Sequence, residues 1–185
     1  MAIFTAAVIL AIVALVRHPD TEAASTAGPP IPHLQEVRSI ALDGEALPLS
    51  QLREVLTSRT GTQLDTAQLG RDRDAMERAL AAMGYLAARV SPATVTFDAT
   101  GAAYVIFEVD TGKLFHLRNV EVTGPGKDAA VVTITPGDEA IQGRIDQARQ
   151  SLAEGLARRG KPSSVELSVH TDLGAAAVDV TLATR

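Results

Sequence analysis

Apolar and polar residues alternate with a period of two over residues 37–42, and the run stops at Asp43-Gly44. The same alternation and glycine stop return over residues 117–124, roughly 80 residues further on, a spacing suited to two small tandem domains rather than a solenoid. Behind Pro48 the period changes: Leu49, Leu52, Val55 and Leu56 recur at helical spacing, with proline well placed in a first turn. Thr60-Gly61 closes that short helix. Asp65 offers an N-cap to a longer one running to Met83, and Gly84 is a natural residue just past its end. Leu69, Met76, Leu80 and Met83 share its apolar face, while Arg71, Asp72, Asp74, Glu77 and Arg78 fall mainly away from it. Residues 85–97 and 103–110 read as strands joined by the turn Asp98-Ala99-Thr100-Gly101. The order is strand, helix, helix, strand, strand.

The second half repeats this order with one weakening. Val131, Val132, Thr133 and Ile134 are β-branched, so its first helix is expected to be short or absent. Pro136-Gly137-Asp138 opens the next helix, which carries Ile141, Ile145, Ala148, Leu152 and Leu156 and ends at Gly160. Val165, Leu167 and Val169 alternate with Glu166, Ser168 and His170, which predicts a half-buried strand. Thr171-Asp172-Leu173-Gly174 then turns the chain into a last strand over residues 176–182.

The N-terminus is of another kind. Residues 2–16 are an uncharged apolar run. As a helix it would span roughly 22 Å, short of the ~30 Å hydrocarbon core. Small residues follow at Ala23, Ala24, Ser25, Thr26 and Ala27, whereas Arg17 stands after the run and no basic residue before it. A signal peptide, a short membrane anchor and an upstream start each fit, and export is expected. Residues 18–35 are rich in Pro, Ala, Ser, Thr and Gly and read as a tether.

Composition narrows the function classes. Hydrophobic residues make up 46% of the 185, enough for one or two small cores but not for a large enzyme. A formal net charge of −5 argues against nucleic acid as a partner. Cysteine is absent, which removes disulfide frameworks and thiolate metal sites. His18, His33, His116 and His170 lack metal-ligand spacing. Asp72-Arg73-Asp74 with Glu77 lacks a calcium-loop glycine and reads as a solvated helix face. Gly124-Pro125-Gly126 is a turn rather than a dinucleotide fingerprint. No catalytic residue, metal or cofactor is called for, and the expectation is a protein without enzymatic activity.

Residues 79–90, ALAAMGYLAARV, resemble the helix-to-strand passage of polypeptide-transport-associated (POTRA) domains, with a leucine and a Gly-aromatic pair before a strand. Residues 115–124, FHLRNVEVTG, directly after Val109-Asp110-Thr111-Gly112, are similar to the junction between consecutive POTRA repeats. The resemblance covers about residues 36–184. It implies an α+β fold of two tandem β-α-α-β-β domains, residues 36–112 and 113–185. Each would be a three-stranded mixed sheet with helices on one face, behind the apolar segment 1–17 and the tether 18–35. It further implies a periplasmic scaffold, soluble after signal cleavage or tethered to a membrane. Its expected partners are outer-membrane β-barrel proteins or their assembly machinery. Residues 113–185 leave no room for a barrel of eight or more strands, so support of assembly is expected rather than the barrel itself. A membrane-anchored envelope or cell-division interaction protein is the alternative.

In that family the second strand of each sheet lies at an edge. Pro92, within the second strand of the first repeat, independently agrees, since proline is tolerated at edges and bulges. The second repeat has no proline there, and Val165, Glu166, Leu167, Ser168, Val169 and His170 form the candidate partner-binding edge strand. Extended peptides add to such edges through the backbone. Ser168→Pro is expected to weaken peptide binding without unfolding the chain. An ordinary solvated edge is the competing reading of the same strand.

Overall fold

The computed structural model describes residues 35–45, 48–127, 130–161 and 164–185. The apolar segment 1–17, and all of the tether 18–35 except residue 35, lie outside the described residues. Residues His33–Arg185 fall within one compact unit.

The first repeat consists of β1 (Val37–Asp43), α1 (Leu49–Val55), α2 (Thr66–Ala82), β2 (Arg89–Val90), β3 (Thr94–Phe97) and β4 (Ala103–Asp110). Strand β4 is central: it runs parallel to β1 and antiparallel to β2 and β3. Beta-branched and aromatic residues at alternate positions, Val105, Phe107 and Val109, turn one face of β4 inward. Leu52 of α1 and Leu69, Met76 and Leu80 of α2 close the core from the helix side.

The second repeat consists of β5 (His116–Thr123), α3 (Gln142–Arg158), β6 (Val165–Asp172) and β7 (Ala177–Thr184). Its order is β5-β7-β6, parallel on one side and antiparallel on the other. Leu152 and Leu156 of α3 pack on Leu117, Val178, Val180 and Leu182.

The duplication extends to single hydrogen bonds. Val37 N–H donates to the Thr62 carbonyl and the Val37 carbonyl accepts from Gly61, both at 2.8 Å. Leu117 makes the same pair with Asp138 and Gly137, both at 2.7 Å. Both first strands bulge at the matching arginine, between Val37 and Ser39 and between Leu117 and Asn119. A bulge inserts one unpaired residue and changes the facing set. Val37 therefore shares the core with Ile40 and Leu42, not with Ser39 and Ala41 as strict alternation predicts.

Several expectations need correction. Residues 84–88 form a turn, not strand: Gly84 has φ +96°, and Tyr85 N–H returns to the Leu80 carbonyl at 3.0 Å. The second strand is broken into β2 and β3, and its register on β4 slips by one residue around Pro92. Among the described residues between β5 and α3 there is no α-helix, as the β-branched run predicts. Buried Ile134 fills that side of the core instead. Helix α3 begins at Gln142, because Pro136–Asp138 are used in the turn that bonds to Leu117. Asp65 does cap α2, accepting from Ala67 and Gln68 N–H.

Asp72 is the clearest departure from pattern. It lies in the apolar stripe of α2, 1% exposed, not on a solvated face. Thr57 and Ser58 N–H donate to its two oxygens, both at 2.9 Å, and Gln68 Nε2 donates at 2.8 Å. The carboxylate thus satisfies the amides of the chain leaving α1. Superposing the two 17-residue helices end to end puts Ala148 in its place. Where no first helix delivers such amides, a small apolar residue packs instead. Burial pushes the pKa of Asp72 up, but hydrogen bonds from Ser58, Thr57 and Gln68 outweigh it and hold the group below the ordinary value.

Asp72→Ala should cost about 2 kcal/mol, because two buried amides lose their acceptor. A carboxylate whose pKa falls on folding stabilises above its unfolded value and ceases to as pH drops through the folded one. Urea unfolding should therefore show a wide gap between wild type and variant at neutral pH, narrowing at about pH 3. An equal gap at both would contradict this role.

Candidate partner-binding edge

Strand β7 is paired on both sides, so among the described residues β6 has one side that no strand pairs. Which of its backbone groups turn that way follows from the register. Arg185 N–H donates to the Ser164 carbonyl at 2.9 Å. Pairing then continues unbroken from Val165↔Thr184 to Asp172↔Ala177. Successive residues of an antiparallel strand turn their N–H and C=O to opposite sides. Ser164, Glu166, Ser168 and His170 thus bond β7, whereas Val165, Leu167, Val169 and Thr171 present theirs at the edge.

The corresponding edge of the first repeat is obstructed along β2, whereas Val95 and Phe97 of β3 turn their backbone groups outward as alternate residues of β6 do. Ser91 N–H bonds the Glu108 carbonyl at 2.9 Å, which turns Val90 outward. Glu77 of α2 takes up that outward donor: its Oε1 accepts from Val90 N–H at 3.0 Å. Pro92 has no N–H, and the bulge around it bends the remainder of the edge. On α3 the residue matching Glu77 is Ala153, whose methyl accepts nothing. One edge is capped from its own helix, and the other is not.

The six residues singled out by sequence all lie on β6, but with unequal exposure. Glu166, Ser168 and His170 are exposed on the face away from α3. Val165 is buried and Leu167 half-buried, whereas Val169 is 47% exposed rather than half-buried. Helix α3 does not cover Val169, and a groove of about 250 Å³ opens there. Leu167, Val169 and Thr171 of β6, Ile145 and Asp146 of α3, and Ala81 and Leu86 of the first repeat line it. Sequence reasoning missed Ala81, Leu86, Ile145 and Asp146 as groove residues. The available signal was Gly84: a helix stopped there must turn, which carries Leu86 away from its own sheet. Gly84 itself fits the joint tightly, since a Cβ on it would lie 3.0 Å from Leu114 Cδ1.

Charges on the opposite face tie the three strands together. Arg118 of β5 donates to Asp179 of β7 through Nε at 3.0 Å and through a second guanidinium nitrogen, and to Asp172 of β6 at 3.0 Å. Hydrogen bonds to Asp179 and Asp172 push the Arg118 pKa up. Arg118 in turn holds Asp179 below the ordinary carboxylate value. Asp172 is lowered first by the Ala175 N–H in the β6–β7 turn and then by Arg118. Arg185 pairs with Glu166 at 2.6 Å. All are exposed pairs of small energetic weight. Their consequence is geometric, since the polar face is occupied while the edge stays open.

Residues 35–112 match the family model POTRA, surface antigen variable number repeat. The fold is similar to POTRA3-5 of BamA from Haemophilus influenzae, with TM-score 0.50 and 18% identity over 83% of this chain and 66% of that one. POTRA1-2 of the periplasmic domain of Omp85 from Anabaena matches with TM-score 0.49 and 17% identity, over 81% of this chain and 95% of that one. CdiB from Escherichia coli matches with TM-score 0.43 and 19% identity, over 91% of this chain and 29% of that one. No curated protein matches the sequence. This chain thus spans 66% of the BamA structure and 29% of the CdiB structure, and at these identities the likeness is one of fold.

Amide hydrogen exchange on the free chain should separate the two sets on β6. Leu167 and Val169 should exchange fast, while Ser168 and His170 are protected. In the first repeat Val90 should be protected in the wild type and exposed in Glu77→Ala. Uniform protection along β6 would contradict an open edge.

Proposed function

We propose, from the match of residues 35–112 to the POTRA family model and the recurrence of that strand order in the second sheet, that the chain is a periplasmic protein-binding scaffold. It supports assembly or translocation of outer-membrane β-barrel proteins, and it does so without chemistry of its own. Residues 36–112 and 113–185 are its two modules, delivered by the apolar segment 1–17 and held off by the tether 18–35. It binds unfolded barrel segments, or extended segments of the assembly machinery, by strand addition at β6.

The observation that carries this reading is the asymmetry of the edges. Glu77 and the Pro92 bulge obstruct the β2 part of the first edge, and among the described residues no α3 side chain does the same along the eight residues of β6. An edge with outward donors and acceptors at alternate residues accepts any extended chain. Barrel proteins reach the periplasm as many different sequences with a shared strand pattern, and backbone recognition suits that diversity.

The register also chooses the substitution that tests it. Ser168 N–H belongs to the internal ladder, so Ser168→Pro damages the sheet itself and lowers stability. Val169→Pro removes an outward donor and spares the ladder. Binding of an unfolded outer-membrane strand peptide should weaken about tenfold in Val169→Pro, with the fold intact by circular dichroism. Undiminished affinity in the folded Val169→Pro chain would refute strand addition at β6.

A further inference from the structure

Strand addition by backbone alone would be indifferent to side chains, but the surroundings of β6 are not. On one face of the strand stand Glu166, Ser168 and His170, exposed and polar. On the other stand Leu167 and Val169, beside the apolar groove. A strand added at this edge continues both faces, so every second side chain enters the groove and the rest meet the polar face. The residues whose backbone turns outward are the same ones whose side chains face the groove. A partner residue paired with Val169 is therefore directed into it.

The groove is not the property of the second repeat alone. Leu86 and Ala81, both from the first repeat, line it together with residues of α3 and β6. Leu86 and Ala87 pack against the second core, and the Gly84 carbonyl accepts from Phe115 N–H at 3.0 Å, so the turn is fixed to the second repeat by backbone as well as side chains. Gly84 admits no larger residue without displacing Leu114.

Resting on the strand-addition reading, we propose that this composite groove is a side-chain selection pocket. Leu86, supplied by the first repeat, determines specificity for an extended amphipathic segment with an aliphatic residue at alternate positions. Such a segment is the pattern of a transmembrane β-strand, apolar on one face and polar on the other. The occupant follows from the site: outward backbone groups require an extended chain, and the two unlike faces require it to be amphipathic. A consequence is that the second repeat without the first would keep its edge and lose its selectivity.

The test uses the full chain and two synthetic peptides of about ten residues. One alternates leucine with serine and arginine, and the other has threonine in place of every leucine. Wild type should prefer the leucine peptide by roughly tenfold or more, the effect expected for burying an aliphatic side chain. Leu86→Ala and Val169→Thr should each erase most of that preference for the leucine peptide over the threonine one. Val169→Thr alters an exposed, β-branched position and guards against a loosened joint in Leu86→Ala. If both peptides bind equally and Val169→Pro still abolishes binding, strand addition stands and the selection pocket is overturned. If neither peptide binds wild type, both are overturned.

Discussion

Every N–H and C=O that a sheet edge turns outward must find a partner in water, in its own protein or in another chain. A sheet with one central strand leaves such an edge on either side, β1 and β2–β3 in the first repeat and β5 and β6 in the second, and the two repeats differ most at the β2–β3 and β6 edge. Each repeat is too small to wrap it, and a helix can cover only one face of the sheet. What each repeat does with its edge therefore governs how it can be used. In the first repeat a helix carboxylate, Glu77, and a proline bulge obstruct the β2 part of that edge. The second has Ala153 at the matching helix position and an unbroken strand of eight residues.

The same duplication accounts for the other polar oddity. Asp72 is a buried carboxylate made tolerable by the amides it accepts from, and these exist because α1 ends beside α2. Where the β-branched run removes that helix, the carboxylate is replaced by Ala148. The two acidic residues of α2 that touch backbone thus both disappear from α3, for different reasons: one lost its donors, and the other's loss frees a donor. The two repeats share a plan but differ at these two helix positions, and the Gly84 turn joins them.

Much of this was legible in the sequence. The tandem order, the helix caps at Asp65 and Gly84, the missing first helix of the second repeat and the edge position of Pro92 all follow from local rules. They involve residues whose chemistry acts on near neighbours. Less legible were features set by partners far along the chain. Asp72 reads as surface because charge on a helix is normally solvated, and only the fold brings Thr57 and Ser58 to it. The outward phase of β6 depends on one register, fixed here by Arg185 and Ser164. Sequence alternation reveals which side chains share a face, but not which backbone groups face the neighbour. For the same reason Ser168 looked like the residue to block, although the register turns the Val169 N–H outward and that of Ser168 toward β7. The groove needed Leu86, which the period-two pattern assigned to a strand.

The most direct measurement is photo-crosslinking in the native cell from a probe replacing Ser168, beside the open edge on its exposed face. A probe replacing Thr94, next to the Pro92 bulge on the corresponding edge of the first repeat, provides the comparison. The account predicts adducts from position 168 that map to strand segments of outer-membrane barrel proteins or to their assembly machinery, with few from position 94. Equal labelling from both positions, or adducts at 168 confined to proteins of the inner membrane, would contradict it.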